Sequence, residues 1–410
     1  MSRITVLGGC GGIGSVAVRT LTLTDHFDEV VIGELRTEQA LALAESLSSG
    51  KVSVAEVDAE DPAGLARALK GSDVVLNCIG PFYRFGPPVL RAVIEAGIDY
   101  VDVCDDLDAT QAMLELDGAA RAAGVTALIG MGNSPGLANV LARFCAEEML
   151  DHADAVDIHH AHGGEPEEGA GVIKHRIHAM TNPVPLFLDG RFIEVMMLDE
   201  DGLEHAEESE FREIGAFTVY PYPHPETVTV PKYLQGVKRV TNKGCVLPTS
   251  YFRLTMDAVR LGLASQRAVQ VGGSEVIPLE FAVAWIREQR PRLLAEAGLD
   301  GPMGCLKVVV TGRKGGDPHA YVFSMSSRRG GAGEGTGIPA ALGAMMMRQG
   351  AFREKGVLPP EALVKPLEML QLASEVVKGY GMALGEGGGL PIHIEHVGPA
   401  GTSEELKLEL

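Results

Sequence analysis

The sequence has few aromatic residues and little positive charge. Aromatic side chains make up 5% of the 410 residues, with one Trp, and 35 Lys and Arg stand against 55 Asp and Glu, a formal charge of -20. Few aromatic rings means few platforms on which bases can stack, and a negative field repels phosphate backbones and anionic headgroups. We therefore expect no nucleic-acid partner and no membrane partner.

Long hydrophobic runs and closely paired cysteines are also missing. The most apolar stretch, residues 338–347, has about half of the ~20 residues that span a bilayer. None of the six cysteines forms a C-x-x-C pair, which argues against a zinc site and a disulfide framework. The apolar start at residues 4–7 ends at once in glycines, unlike a signal peptide. These features predict a soluble cytoplasmic protein with reduced thiols and no metal.

The first 130 residues alternate short β-branched runs with helical stretches. Strands are predicted at residues 4–7, 29–33, 52–57, 74–79, 100–103 and 126–129, with helices between them. Six strands with five intervening helices are typical of a complete doubly wound sheet. The predicted fold class is therefore α/β, a Rossmann doubly wound parallel sheet with a second, mixed α+β domain.

The texture of the sequence changes near residue 136, where longer β-like runs and Pro-rich connections begin. We predict a dinucleotide-binding Rossmann domain at 1–135, a substrate and dimerisation domain at 136–330, and C-terminal helices at 331–397 that return to the Rossmann domain. A glycine-dense turn is predicted at 330–337, followed by helix to about residue 384. Exposed sheets commonly pair across a two-fold axis, so a homodimer is expected.

A G-x-G-x-x-G motif directly follows the first predicted strand and opens the first helix. At this place Gly9 permits a tight turn, Gly11 lets a pyrophosphate approach the backbone and Gly14 lets the helix pack on the strand. The position favours dinucleotide binding over a purely structural turn. The loop predicted to bind the cofactor consists of Gly9, Cys10, Gly11, Gly12, Ile13 and Gly14.

Glu34 ends the second strand, twenty residues after Gly14. A carboxylate there accepts both ribose hydroxyls and repels a 2′-phosphate, which favours NAD. Arg36 keeps NADP open, because an arginine at this place can pair with that phosphate. Asp58 is predicted to reach the adenine amino group, with a local helix-capping role as the alternative.

The turn after the fourth predicted strand is a further candidate for the cofactor site. Ligands of doubly wound folds bind at the carboxyl ends of the strands, where this turn lies. We expect it to line the nicotinamide side, through Ile79, Gly80 and Pro81.

Several segments resemble the saccharopine dehydrogenase-like oxidoreductases. They are residues 73–82, 92–102, 130–139 with its Pro-Gly turn, 163–166, 336–341 and 356–361, whereas 185–300 match poorly. The resemblance implies reversible hydride transfer between a nicotinamide and a carbon bonded to nitrogen, through an imine. The implied substrate is a small amine, amino acid, opine or polyamine, and the negative charge of the chain favours an ammonium group.

The resemblance places a substrate-lining segment after residues 163–166, where Lys174, His175, Arg176 and His178 form a dense cationic cluster. Arg176 or Lys174 would hold a substrate carboxylate, and His175 or His178 would move the amine proton. We predict a strand here, which separates His175 from the other three. Asp102, after the fifth strand, is a further candidate acid/base. Ordinary solvated or capping positions are the competing interpretation.

A second histidine cluster follows residue 157, but on a strand His160 and His162 share a face without His159, so no metal site is expected. Two other functions stay open. An enoyl reductase on the same fold would have a pocket lined by Met180, Phe187, Phe192, Met196 and Met197. A non-catalytic NAD-binding sensor would fill the pocket with its own side chains.

Overall fold

The computed structural model describes residues 1–328, 332–379 and 390–408. Its first part alternates strands and helices much as predicted, although the helix expected over 109–123 is divided into two. The elements are β1 (Arg3–Leu7), α1 (Gly14–Thr22), β2 (Glu29–Glu34), α2 (Thr37–Leu47), β3 (Val52–Glu56), α3 (Pro62–Leu69), β4 (Val74–Asn77), α4 (Phe82–Glu95), β5 (Asp99–Asp102), α5 (Leu107–Leu114), α6 (Asp117–Ala123) and β6 (Thr126–Leu128).

The middle of the chain forms a larger set of longer strands. The elements are α7 (Leu137–Phe144) with a π-helical extension (Cys145–Met149), β7 (His152–Gly163), α8 (Ala170–Thr181), β8 (Pro183–Leu188), β9 (Arg191–Met196), α9 (Glu200–Glu204), β10 (Glu207–Phe211), β11 (Gly215–Pro221), α10 (Glu226–Tyr233), β12 (Arg239–Leu247), α11 (Thr249–Arg260), β13 (Val269–Val271), β14 (Ser274–Val276), α12 (Pro278–Glu296), β15 (Met303–Lys314) and β16 (Asp317–Ser327).

The last part of the chain contributes to both sheets. Its elements are α13 (Ala332–Arg348), β17 (Gly356–Leu358), α14 (Pro360–Leu363), α15 (Pro366–Gly379), β18 (His393–Val397) and β19 (Ser403–Leu406). β17 pairs in parallel with β6, whereas β18 pairs with β16 in the second sheet. Besides its helices, this region thus contains two segments that complete their backbone hydrogen bonds as strands.

The first sheet has the order β17-β6-β5-β4-β1-β2-β3, and its paired strands run parallel. The order reverses between β1 and β4, so their carboxyl ends border the crevice where doubly wound folds bind ligands. The Rossmann prediction is confirmed, with seven strands among the described residues where the sequence predicts six. Within the same described residues, the second sheet has ten strands, is mixed, and is centred on β7, β12 and β15.

The glycine-dense segment predicted as a turn is mostly helix. Residues 330 and 331 lie outside the described residues, and α13 begins at Ala332. A Cβ at Gly333 would lie 2.7 Å from the Gly12 carbonyl oxygen, and one at Gly337 would lie 2.7 Å from that of Ile13. These glycines therefore let α13 pack closely on the phosphate loop and α1. The helix predicted to about residue 384 is described as far as Gly379, and residues 380–384 lie outside the described part.

The apolar core divides into two clusters of buried residues. One fills the first sheet, its helices and one face of the second sheet, and the other packs α8, α11 and α12 against the second sheet. All six cysteines are free. In the described part of the chain, no helix is both long and apolar enough to cross a bilayer.

Candidate active site

The phosphate loop has the geometry of a cradle that side chains would fill. A Cβ at Gly14 would lie 2.2 Å from the Gly8 carbonyl oxygen, and one at Gly9 would lie 2.9 Å from Ile32. Gly14 therefore permits the close packing of α1 on the turn, as predicted. The residue with a left-handed backbone is Gly8, at φ +71°, so the sharp turn begins one residue before the motif.

Glu34 lies beside this loop, at the carboxyl end of β2. Its Oε2 accepts a hydrogen bond of 3.3 Å from the Cys10 backbone N–H, and its Oε1 accepts one of 3.1 Å from Leu35 N–H. A half-buried carboxylate at this position suits the ribose of a dinucleotide. Arg36 is exposed at the start of α2. The glycine cradle and this carboxylate fit a nicotinamide dinucleotide.

Asp58 is exposed after β3, and its Oδ1 accepts a hydrogen bond of 2.9 Å from Glu60 N–H. The structure thus gives Asp58 a local turn contact, while Asp61 caps α3 through Ala63 N–H. The predicted nicotinamide-side turn, Ile79 to Pro81, connects β4 to α4. Asn77 shapes it by accepting a hydrogen bond of 3.0 Å from the Ile79 backbone N–H.

Asp102 is fully buried at the end of β5. Its Oδ1 accepts backbone hydrogen bonds from Cys104, at 3.0 Å, and Gly130, at 2.7 Å. Burial raises the pKa of this carboxyl to about 6 despite these bonds. The contacts show a group that holds two turns together.

The cationic cluster lies on a helix, so the predicted strand at residues 174–178 is wrong. On α8 the buried residues Ile173, Arg176, Ile177 and Met180 form one face. His175 and His178 are three residues apart and both reach the same cavity. The helix therefore unites the two histidines that a strand would separate.

This cavity has a volume of about 440 Å³ and opens beside the carboxyl end of β5. Four carboxylates line it, at Asp105, Asp106, Asp108 and Glu194. The same wall carries His175, His178 and Lys232. We call this cavity the acidic pocket.

His175 is clamped between two carboxylates of the pocket. Its Nδ1 lies 2.7 Å from Asp106 Oδ1, and its Nε2 lies 3.4 Å from Asp105 Oδ2. Although burial opposes the charge, these carboxylates raise the pKa of His175 to about 9, so the ring is an imidazolium at neutral pH. Asp106 also accepts a hydrogen bond of 2.9 Å from Tyr83 N–H, which connects the clamp to the first turn of α4.

The other three residues of the cationic cluster are paired with acidic residues of the protein. Arg176 is 2% exposed and is bonded to Glu168, with its guanidinium carbon 5.4 Å from the Tyr251 ring centre. Lys174 lies 2.6 Å from Glu280. The Nε2 of His178 is 3.0 Å from Asp108.

These pairings bear on the prediction that Arg176 or Lys174 binds a carboxylate of the substrate. Arg176 is held under the pocket, since its charge is already matched by Glu168. Lys174 lies on the helix surface, where Glu280 balances it. A substrate carboxylate would have to displace these partners.

Sequence reasoning assigned no role to Tyr83, Tyr222, His224 or Glu226. Tyr83 stacks on His178 with ring centres 4.1 Å apart, and Tyr222 lies 6.5 Å from His175. The last three lie in and after a Pro-rich connection, which reads as a linker. The alternation of polar residues with prolines in this connection is the sequence feature that could have marked them as candidates for the site.

The histidines of β7 behave as the strand pattern predicts. His160 and His162 lie on one face with ring centres 6.0 Å apart, whereas the Nδ1 of His159 lies 2.9 Å from Ser209 Oγ on the other face. Burial lowers the pKa of His160 to about 3, so this ring is neutral.

The comparisons with known proteins agree with this geometry. The family described as saccharopine dehydrogenase NADP binding domain matches residues 4–128. Carboxyaminopropylagmatine dehydrogenase of Synechocystis sp. is 25% identical over 406 residues, which cover 92% of this chain and 98% of that protein. Carboxynorspermidine synthase of Vibrio cholerae is 23% identical over 397 residues, covering 87% and 91%.

A solved structure supports the fold. Saccharopine dehydrogenase (L-Glu forming) from Saccharomyces cerevisiae matches with a TM-score of 0.66 at 16% identity, over 99% of this chain and 100% of that chain. Together the comparisons confirm three predictions: the resemblance to the saccharopine dehydrogenase-like group, an oxidoreductase, and a nicotinamide cofactor.

Proposed function

We propose that this saccharopine dehydrogenase-like oxidoreductase, with its NAD(P) cofactor, interconverts a substituted polyamine and its imine. The observation that carries the proposal is the acidic pocket, in which three carboxylates follow β5 at the carboxyl edge of the Rossmann sheet and a fourth, Glu194, comes from β9 of the second sheet. Carboxylates that line one cavity attract the distal ammonium or guanidinium of a polyamine and repel a second carboxylate. Two relatives that span nearly the whole chain carry polyamine names, which supports this choice.

A bound nicotinamide supplies the hydride acceptor, or the donor in the reverse direction. The chain supplies orientation and proton transfer. In oxidation the substrate nitrogen loses a proton, its lone pair forms the C=N bond, and hydride leaves the carbon. His175, an imidazolium whose two ring nitrogens are held by Asp105 and Asp106, keeps these carboxylates in place beside the substrate nitrogen.

The proposal assigns the phosphates to the loop from Gly9 to Gly14 and the ribose to Glu34, with NAD preferred. Such a substrate also explains why Arg176 and Lys174 are matched internally, since a polyamine needs more negative than positive partners. The predicted homodimer remains part of the proposal.

The experiment compares substrates that differ at the distal end. Purified protein with NAD or NADP is assayed by nicotinamide absorbance, with N-carboxyalkyl derivatives of diamines and agmatine against saccharopine. The cationic compounds should have a kcat/KM at least about tenfold higher, the effect of roughly 1.4 kcal/mol of differential attraction. Equal or faster oxidation of saccharopine would overturn the substrate class.

A matched pair of variants tests the pocket itself. Glu194→Gln removes one carboxylate of the pocket, and Glu208→Gln removes an exposed one on β10, outside it. We expect the KM for the cationic substrate to rise several-fold in the first variant and to stay unchanged in the second. The same KM in both would contradict the role of the pocket.

The structure bears differently on the two alternative functions. Of the apolar residues expected in an enoyl-reductase pocket, Phe192 lines the cavity, whereas Met180 and Met197 are buried in the core. A sensor with a self-filled pocket would lack an open volume of this size. Neither alternative is favoured by a specific observation.

A further inference from the structure

A buried chain of polar groups begins behind the acidic pocket and ends at the junction of the two sheets. The Nδ1 of His224 lies 3.4 Å from Ser134 Oγ, and Ser134 Oγ donates a hydrogen bond to Glu226 Oε1. Ser134 belongs to the turn after β6, whereas Glu226 is the first residue of α10. This series of polar groups therefore joins the Rossmann part of the molecule to the second part.

Asn242, on β12, fixes this arrangement. Its Nδ2 donates to Ser134 Oγ at 3.1 Å and to Glu226 Oε1 at 3.2 Å. Glu226 is fully buried, and its Oε2 has no hydrogen-bond partner among the described residues. Oε2 lies 3.9 Å from His224 Nδ1. A carboxyl group with a free oxygen in a buried site can take up a proton.

The other end of this series of polar groups reaches His175 and the two carboxylates that hold it. One ring nitrogen of His224 and one of His175 lie with a carboxyl oxygen of Asp105 within 4.8 Å of one another. Pro223, the neighbour of His224, lines the acidic pocket. The Nδ1 of His224 is turned to Ser134 and Glu226, which leaves Nε2 as the ring nitrogen that can take part in a transfer from the other side.

We propose that His224, Ser134 and Glu226 form a proton relay that carries the substrate's amine proton from the acidic pocket to the domain junction. This inference rests on the proposed amine oxidation. The substrate nitrogen gives a proton to His224 Nε2, the Nδ1 proton passes to Ser134 Oγ, and the Ser134 proton passes to the Glu226 carboxylate. The freed lone pair forms the C=N bond as hydride leaves for the nicotinamide. Reduction runs the same transfers backwards.

The charge states agree with these directions of transfer. Burial lowers the pKa of His224, so its ring is neutral and can accept a proton. Burial raises the pKa of Glu226 to about 7, so this group exchanges a proton near neutral pH. Two histidines that face each other thus differ in charge, His175 being cationic and His224 neutral, which is how enzymes separate acid from base.

Several other titratable groups also face the relay. The residues around His224 are His160, His162, His175 and Tyr222, and the carboxylates whose charges act on Glu226 are Glu361 and Asp105. Glu361 provides a matched control. It is a buried carboxyl group at the same junction, bonded to Asn139 Nδ2 at 2.8 Å, and it lies outside the relay.

The decisive experiment compares Glu226→Gln with Glu361→Gln in the full-length protein. For oxidation of the cationic amine we expect wild-type kcat to rise with pH through about 7, as Glu226 loses its proton. Glu226→Gln should lower kcat about 100-fold and abolish that ionisation from the profile, with KM little changed. Glu361→Gln should retain the ionisation near pH 7 in its kcat profile. Ser134→Ala, which breaks the relay but keeps the carboxyl group, should also slow kcat.

The outcomes separate this inference from the proposed function. No amine oxidation by the wild type would refute the proposed function, whereas a wild-type profile retained in Glu226→Gln would overturn the relay alone. A measurement without substrate guards against misfolding. The infrared band of a protonated carboxylic acid that is present in the wild type and missing from Glu226→Gln should titrate near neutral pH, and the absence of such a difference between the two proteins would also overturn the relay.

Discussion

The two sides of the candidate active site are built by different means. On the cofactor side, glycines bring the backbone of β1, α1 and α13 close together, and one carboxylate, Glu34, adjoins the loop. On the substrate side, the acidic pocket carries charged side chains among apolar ones, and several of the charged groups are held in pairs, such as His175 with Asp106. The first surface depends on the absence of side chains, and the second depends on their exact pairing.

The difference teaches where each side is vulnerable. A backbone cradle fails when atoms are added, because no neighbour can move away. A network of charge pairs fails when atoms are removed, because a buried partner is left with an uncompensated charge. Substitutions that add or remove atoms should therefore separate the two sides.

The largest expected effect comes from the buried pair beneath the acidic pocket. Arg176→Met would remove the main partner of Glu168, whose side chain is 10% exposed, and would leave it Arg290 at 3.5 Å and the Tyr251 hydroxyl. We expect a loss of about 3 to 5 kcal/mol in the free energy of unfolding, measured by urea denaturation. The double variant with Glu168→Gln should recover part of this loss.

Lys174→Met is the matched control on the same helix. Its partnership with Glu280 is partly exposed, and such pairs contribute at most about 1 kcal/mol. Equal losses in the two variants would show that burial does not distinguish these pairs.

The next largest effect concerns the cofactor side. In Gly14→Val the new side chain meets the Gly8 carbonyl oxygen and the Gly9 backbone, so α1 must move away from the turn. We expect binding of the dinucleotide to weaken by about 100-fold or more, roughly 2.7 kcal/mol, in a fluorescence titration. Gly118→Ala, on α6 with open space around it, should bind as the wild type does. Unchanged binding in Gly14→Val would rule out the cradle.

A smaller effect should appear as a pH dependence of stability on the substrate side. The pKa of His175 is raised from 6.5 to about 9 in the folded protein. The stabilisation it provides is therefore complete below pH 6.5 and is lost as pH rises through about 9. Thermal unfolding of the wild type should thus lose more stability over this range than that of His175→Gln. Parallel curves would contradict the clamp.

The cofactor side and its sheet could be predicted from the sequence because they are local. The glycine motif, the strand before it and the helix after it are neighbours in the chain. β17 escaped prediction because a three-residue strand, Gly356–Leu358, has no periodicity of its own and gains its hydrogen bonds from β6. The second sheet joins strands far apart in sequence, so its order could not be predicted.

The helix α8 was predicted as a strand for a physical reason. Ile173, Ile177 and Met180 follow helical spacing, but Arg176 interrupts the apolar face because its charge is neutralised by Glu168. When Arg176 is counted as a polar residue, the buried face of the helix loses its apolar periodicity and the helix is not recognised from the sequence. The acidic pocket likewise combines residues 105–108 with 175–194, and their meeting depends on tertiary packing.

The smallest expected effect concerns the choice between NAD and NADP on the cofactor side, which the prediction assigns to the single side chain of Glu34. If Glu34 accepts the ribose hydroxyls, Glu34→Ser removes both that interaction and the repulsion of a 2′-phosphate. The ratio of NADP to NAD affinity should rise about tenfold, or roughly 1.4 kcal/mol, in paired titrations of the two dinucleotides. Glu38→Ser, an exposed acid in the first turn of α2, should leave the ratio unchanged. A ratio that does not change in Glu34→Ser would mean that the backbone cradle alone holds the cofactor, with Glu34 serving the Cys10 N–H.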